Sequence, residues 1–120
     1  MSKIGMVMLI AAATLTSTAS VSARTPFDGR WSVLIITDKG TCDRAYRYPI
    51  DIQNGIVTYG GDVVDMQGRV TSNGNVVVMV SRGNQTARGT GRMGRTFGQG
   101  VWRGLGNGES CSGRWEAERR

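Results

Sequence analysis

Asn73-Gly74-Asn75-Val76-Val77-Val78-Met79-Val80-Ser81-Arg82-Gly83-Asn84-Gln85-Thr86-Ala87-Arg88-Gly89-Thr90-Gly91-Arg92-Met93 is the stretch that decides the fold. It opens on Asn-Gly, a dipeptide whose two residues tolerate the positive φ of a tight hairpin turn. A continuous apolar run, Val76 to Val80, follows and reads as a central strand. Arg82-Gly83-Asn84 marks a second turn. Thr86 to Met93 then alternates. Thr86, Arg88, Thr90 and Arg92 lie on one face, and Ala87, Gly89 and Gly91 on the other. Alternation with period two belongs to a strand with one face turned inward.

The same grammar extends in both directions. Asn54-Gly55 and Asn107-Gly108 are further hairpin markers, and Asp38-Lys39-Gly40 and Gly60-Gly61-Asp62 are further turns. No part of the chain after residue 23 holds a helical period. The predicted strands are 30–37, 43–52, 56–59, 64–70, 76–80, 86–93, 96–103 and 112–118. In the second, Tyr46, Tyr48, Ile50 and Ile52 share a face, and Pro49 suggests an edge or a bulge. Sequential hairpins with short loops give an antiparallel meander. Eight such strands can close into an up-and-down barrel, which removes the unpaired edges. A two-sheet sandwich is the alternative that periodicity leaves open. Closure makes the first and last strands neighbours. Their matching tripeptides, Gly29-Arg30-Trp31 and Gly113-Arg114-Trp115, then place Trp31 and Trp115 together to seal one end of the core. Trp102 is the third core tryptophan. The aromatic set, including Tyr46, Tyr48 and Tyr59, is expected to fill so narrow a barrel, with an apolar ligand pocket as the alternative.

The N-terminus gives the compartment. Lys3 precedes an apolar stretch, Ile4 to Leu15, that is too short to span a bilayer. Val21-Ser22-Ala23 then supplies small residues for signal-peptidase cleavage. The expected organisation is a signal peptide over 1–23 and a single β-barrel domain over 24–120, periplasmic or secreted, with no transmembrane segment in the mature chain. Cys42 and Cys111 are the only cysteines. In an oxidising compartment they read as one disulfide. Closing a loop of about 70 residues stabilises a small domain by about 4 kcal/mol in the chain-entropy model.

Thirteen arginines and Lys39 oppose nine acids in the mature chain. Arginine presents a planar fork suited to carboxylates and phosphates. Arg82, Arg88, Arg92, Arg95 and Arg103 form a candidate anion-binding stripe. The partner classes are an anionic polysaccharide or a lipid headgroup; export argues against nucleic acid. The other reading is that acids on adjacent strands pair with these arginines. The chain has no histidine, which removes His-dependent nucleophilic catalysis and the commonest metal ligand. Gly89-Thr90-Gly91-Arg92-Met93-Gly94 matches a dinucleotide fingerprint in letters. It lacks the strand-to-helix context the fingerprint needs, so its glycines read as room for close packing, for example against Trp102. The reading is not an enzyme, with no catalytic residues, no metal and no cofactor.

Gly29-Arg30-Trp31 at the opening of the first strand resembles the G-x-W that starts the lipocalin and avidin barrels, the calycins. The resemblance implies a late arginine packed over that tryptophan, a place for Arg114 or Arg119. The mature chain is shorter than a lipocalin, and Thr37-Asp38 follows the first strand rather than coming late. Bacterial metalloprotease inhibitors share the exported barrel, the early G-x-W and a single disulfide. The span Phe27 to Arg120 is also similar to small exported alphaproteobacterial proteins of uncharacterised function. These carry an F-D-G-x-W opening (Phe27 to Trp31 here) and a C-S-G-R-W ending (Cys111 to Trp115 here), a likeness that implies no activity. The functional expectation is an exported, non-catalytic binding or interaction protein, with an anionic partner in view. The alternatives are an inhibitor of a secreted hydrolase, plugging an active site with a loop or with the N-terminal arm Arg24-Thr25-Pro26, and a carrier of a small apolar ligand; a free, extended arm would favour the inhibitor.

Overall fold

The computed structural model describes Gly5 and residues 24–62, 64–106 and 108–120. The expected signal peptide, with Lys3 and Val21-Ser22-Ala23, lies outside the described residues apart from Gly5. Eight strands follow one another: β1 (Gly29–Lys39), β2 (Ala45–Gln53), β3 (Ile56–Thr58), β4 (Asp65–Val70), β5 (Asn75–Arg82), β6 (Gln85–Met93), β7 (Phe97–Gly106) and β8 (Glu109–Arg119). Each pairs antiparallel with the next, and β8 returns to β1, so the sheet is a closed up-and-down barrel rather than a sandwich. Among the described residues there is no helix long and apolar enough to cross a membrane.

The turns explain the meander. Asn54 and Gly55 both have positive φ, 53° and 77°, as a two-residue hairpin requires. At Asn73-Gly74 only the glycine is left-handed, and the turn is longer, with the Thr71 amide donating to the Asn75 carbonyl. Even-numbered connections, together with both chain ends of the domain, gather at one end of the barrel, here called the floor. The odd-numbered connections gather at the other, the mouth.

Closure rests on the pairing of β1 with β8. It is regular from Trp31↔Arg119 to Thr37↔Gly113 and then shifts at a bulge at Asp38. The bulge lets Asp38 turn toward Arg114, which holds it with two hydrogen bonds at 2.9 and 3.1 Å. Cys42, in the loop after β1, is bonded to Cys111. Cys111 lies inside β8, which begins earlier than the sequence suggests, at Glu109. The staple therefore fastens the mouth end of the closure.

Val76–Val80 is a strand paired on both sides, as its apolar run predicts, and it turns one face inward. Val76 is buried and Val78 half-buried, whereas Val77 and Met79 point outward, because a single-layer barrel has only one interior. Trp31 and Trp115 do lie on adjacent paired strands and are both buried. They do not sit side by side at one end, however. Antiparallel register puts Trp31 beside Arg119, and Trp115 beside Ile35, four residues toward the mouth.

Candidate functional site: an apolar cup in the barrel

The floor is a buried apolar cluster whose upper side chains form the bottom of the lumen. Phe27, Trp31, Ile52, Val57, Val70, Val76, Met93 and Ala117 form one buried cluster with Ile50 and Trp115. Trp31 has no exposed surface, and its indole N–H donates to the Phe27 carbonyl at 2.8 Å. The Arg119 guanidinium lies over the Trp31 ring at 4.6 Å and donates to the carbonyls of Arg95, Asp28 and Pro26 at 2.6, 2.7 and 2.5 Å. Of the two arginines offered as a cover for Trp31, Arg119 takes the place, and Arg114 instead holds Asp38. The segment before β1 is fastened as well. The Asp28 carboxylate accepts from the Thr25 hydroxyl at 2.5 Å and from the amides of Asn54 and Gly55 at 2.9 and 3.2 Å. Burial pushes that carboxyl up, but these hydrogen bonds outweigh it and hold it below the usual carboxylate value.

Above the floor the lumen is open, with a cavity of about 510 Å³. This volume lies within the range of small-molecule sites, roughly 300–1,000 Å³. Val33, Ile35, Tyr48, Met66, Val78 and Ala87 line its body. The expectation that aromatics fill the barrel holds for Phe27 and Trp31 at the floor but not above it, and the two upper tryptophans give the reason. Trp115 faces Gly100 across β7, and its indole donates past it to the Thr90 carbonyl on β6 at 3.1 Å. Trp102 faces Gly113 across β8 and donates to the Ile36 carbonyl on β1 at 3.0 Å. Each ring reaches along the wall to a carbonyl two strands away rather than across the lumen. Glycine is what permits this for Trp115: a Cβ on Gly91 or Gly100 would come within 2.6 or 2.5 Å of its ring. The Gly89 to Gly94 motif thus serves Trp115, with no helix after it and no nucleotide-binding turn.

The mouth is polar and aromatic. Arg82, Gln85, Thr41, Asp43 and Glu109 stand around the opening. The Tyr46 hydroxyl donates to Asp43, and the Thr41 hydroxyl to Glu109. The hydrogen bond to Asp43, with added burial, pushes the Tyr46 phenol up to about 12. Tyr48, raised chiefly by burial and then by neighbouring Tyr59, packs edge-on against Tyr59 at 5.6 Å. This stack closes a thin part of the wall. β3 pairs with only Asp51–Gln53 of β2 and with Gly68–Arg69 of β4, so toward the mouth β2 has lost its neighbour. Pro49 falls in that stretch, where a missing backbone N–H costs least.

The arginine stripe is divided by the structure. Arg88 and Arg103 point outward and stand directly opposite each other on β6 and β7. Arg92 lies further along the same outer face, donating to the Asn73 carbonyl at 3.2 Å. Arg82 belongs to the mouth, and Arg95 to the β6–β7 turn at the floor. Among the described residues the ion pairs are Arg30–Asp51 and Arg114–Asp38, neither of them in the stripe. The cup itself was missed in sequence as the favoured reading. Its signal was there in the small inward residues Ala87, Gly89, Gly91, Gly98, Gly100 and Gly104, whose combined volume is too little to fill a lumen. No family model, curated protein or solved structure matches the chain.

Proposed function

We propose that this is an exported, non-catalytic binding protein that carries a small, mainly apolar molecule in the barrel cup. The observation that carries the reading is the open cavity above a packed floor, apolar in its body and polar at its rim. That distribution suits a ligand whose apolar part is buried and whose polar end remains at the mouth. The disulfide at the mouth and the tyrosine stack hold the rim in shape without filling it. The inhibitor alternative works through a loop or the N-terminal arm, and a free, extended Arg24–Pro26 arm would favour it. That arm is instead tied to the floor through Thr25, Asp28 and Arg119, which withdraws the support the arm would have given.

The test is binding of N-phenylnaphthylamine, a neutral apolar fluorophore, to the mature protein. Gly89→Leu and Val78→Trp are the comparison variants. Both residues line the cavity, and a Cβ on Gly89 meets nothing closer than 3.6 Å. The expected result is saturable fluorescence with the parent, lost in both variants while they melt like folded barrels. Absence of binding by the parent, or undiminished binding by folded variants, overturns the reading. Native mass spectrometry of the periplasmic protein then identifies the cargo by its mass.

A further inference from the structure

Charge is segregated around the barrel. Between Asp65 and Glu109 the chain has no acidic residue, while it carries Arg69, Arg82, Arg88, Arg92, Arg95 and Arg103. The outer face of β5–β7 is built from this segment. Arg88 has Met79 and Arg103 as its cross-strand partners, Arg103 has Arg88 and Ser112, and Arg92 has Asn75 and Gln99. Like charges directly opposite each other destabilise a sheet. The fold pairs its arginines where it has acids, as Arg114 with Asp38 and Arg30 with Asp51. On this face it sets two guanidiniums side by side with no carboxylate in register.

The same face exposes apolar side chains. Val77 is 41% exposed, Met79 49%, Val101 59% and Leu105 64%. Val77, Thr90 and Val101 form one cross-strand row, and Met79, Arg88 and Arg103 form the next. Guanidiniums and aliphatic groups thus alternate over one continuous surface. We infer that the outer face of β5–β7 docks on an anionic lipid surface. The arginines meet the headgroup phosphates, and Met79, Val77, Val101 and Leu105 enter the boundary beneath them. An anionic polysaccharide accounts for the arginines but gives no return for the aliphatic side chains between them. A lipid surface rewards both. Leu105 also borders the cup, so a docked barrel holds its rim beside the lipid. The docking surface stands independently of the cup reading, since it rests on the outside of the wall.

The test is co-sedimentation of the mature protein with vesicles of phosphatidylcholine alone or mixed with phosphatidylglycerol, at low and at high salt. The variants are Arg88→Gln/Arg103→Gln, Val101→Ser/Leu105→Ser, and Arg30→Gln/Arg47→Gln as a charge-matched control on the exposed outer face of β1–β2. The parent is expected to bind the phosphatidylglycerol vesicles at low salt and not the neutral ones, with loss at high salt as screening shortens to below about 8 Å. The double arginine variant should lose at least tenfold in partition, and the apolar variant several-fold at unchanged charge. Arg30→Gln/Arg47→Gln should bind distinctly better than the stripe variant. Melting curves confirm that each variant is folded. Three outcomes overturn the inference. The parent fails to bind anionic vesicles at low salt. Arg30→Gln/Arg47→Gln loses as much as the stripe variant, which makes binding a matter of net charge. Or the apolar variant binds undiminished while an anionic polysaccharide column retains the parent, which makes the partner a polysaccharide.

Discussion

The floor and the mouth of this barrel are made by the same eight strands and are held together differently. At the floor, tryptophan, isoleucine and valine side chains meet from all sides, and every polar group brought in with them has a partner. Trp31 donates to Phe27, and Arg119 spends its guanidinium on three carbonyls. At the mouth the inward side chains line a space instead of meeting. Apolar surface left facing a cavity contributes less than the roughly 25 cal/mol per Å² of buried surface. The mouth is held instead by a covalent bond, by an aromatic stack and by short polar contacts. The difference separates tasks: packing at one end stabilises the fold, and cross-links at the other keep an unfilled rim in shape.

The largest effect should come from the floor. Trp31→Ala is expected to cost about 3–5 kcal/mol, the range for large aromatic deletions in a core. Tyr48→Ala at the mouth should cost distinctly less, because its ring already borders open space. Thermal melting of the pair gives the comparison, and equal losses would erase the contrast. Next is the Cys42→Ser/Cys111→Ser variant, expected to lose up to about 4 kcal/mol. Hydrogen exchange should rise at the mouth ends of β1, β2 and β8 and leave the floor protected. Faster exchange at the floor would mean that the staple holds the whole barrel.

Gly100→Ala sharpens the account of why the lumen is open. A methyl there meets the Trp115 ring, so a loss of about 1–3 kcal/mol from overpacking is expected, together with a shift in tryptophan fluorescence. An unshifted spectrum would mean that the ring does not lie on this glycine.

The smallest effects are in pH dependence, and the two ends should respond at opposite limits. Asp28 is held below its ordinary value in the folded state. Its contribution is present above the unfolded value of about 3.9 and is lost as pH falls through the folded one. Melting temperature should therefore drop more steeply below about pH 4 in the parent than in Asp28→Asn. Tyr46 is raised to about 12. Its contribution is present below the unfolded value of about 10 and is lost as pH rises through the folded one. Tyrosinate absorbance of the parent minus that of Tyr46→Phe should show this late titration. A phenol ionising near 10 would mean that the bond to Asp43 does not hold at the mouth.

The strand order was legible because each hairpin is a local event. Asn54-Gly55 states its own turn, and Thr86 to Met93 states its own faces. The disulfide was legible because two cysteines have one pairing. The wall and the lumen were harder to read. Val76 to Val80 looks uniformly apolar, and only the single-layer sheet decides that Val77 and Met79 face outward. The stripe Arg82, Arg88, Arg92, Arg95 and Arg103 is one run in sequence and three places in space, because the barrel sends its turns to opposite ends.

By itself, the sequence determined an all-β chain, its eight strands and turns, its one disulfide, and the tryptophans that face inward. Periodicity and turn chemistry are properties of neighbouring residues, and they survive reading one residue at a time. The tertiary structure alone decided three things. It set Arg88 against Arg103, because register joins residues from different strands. It chose Arg119 over Arg114 as the cover of Trp31, for the same reason. And it left the cup open, because whether a tryptophan crosses a lumen or lies along the wall depends on the glycine and the carbonyl that meet it from two strands away.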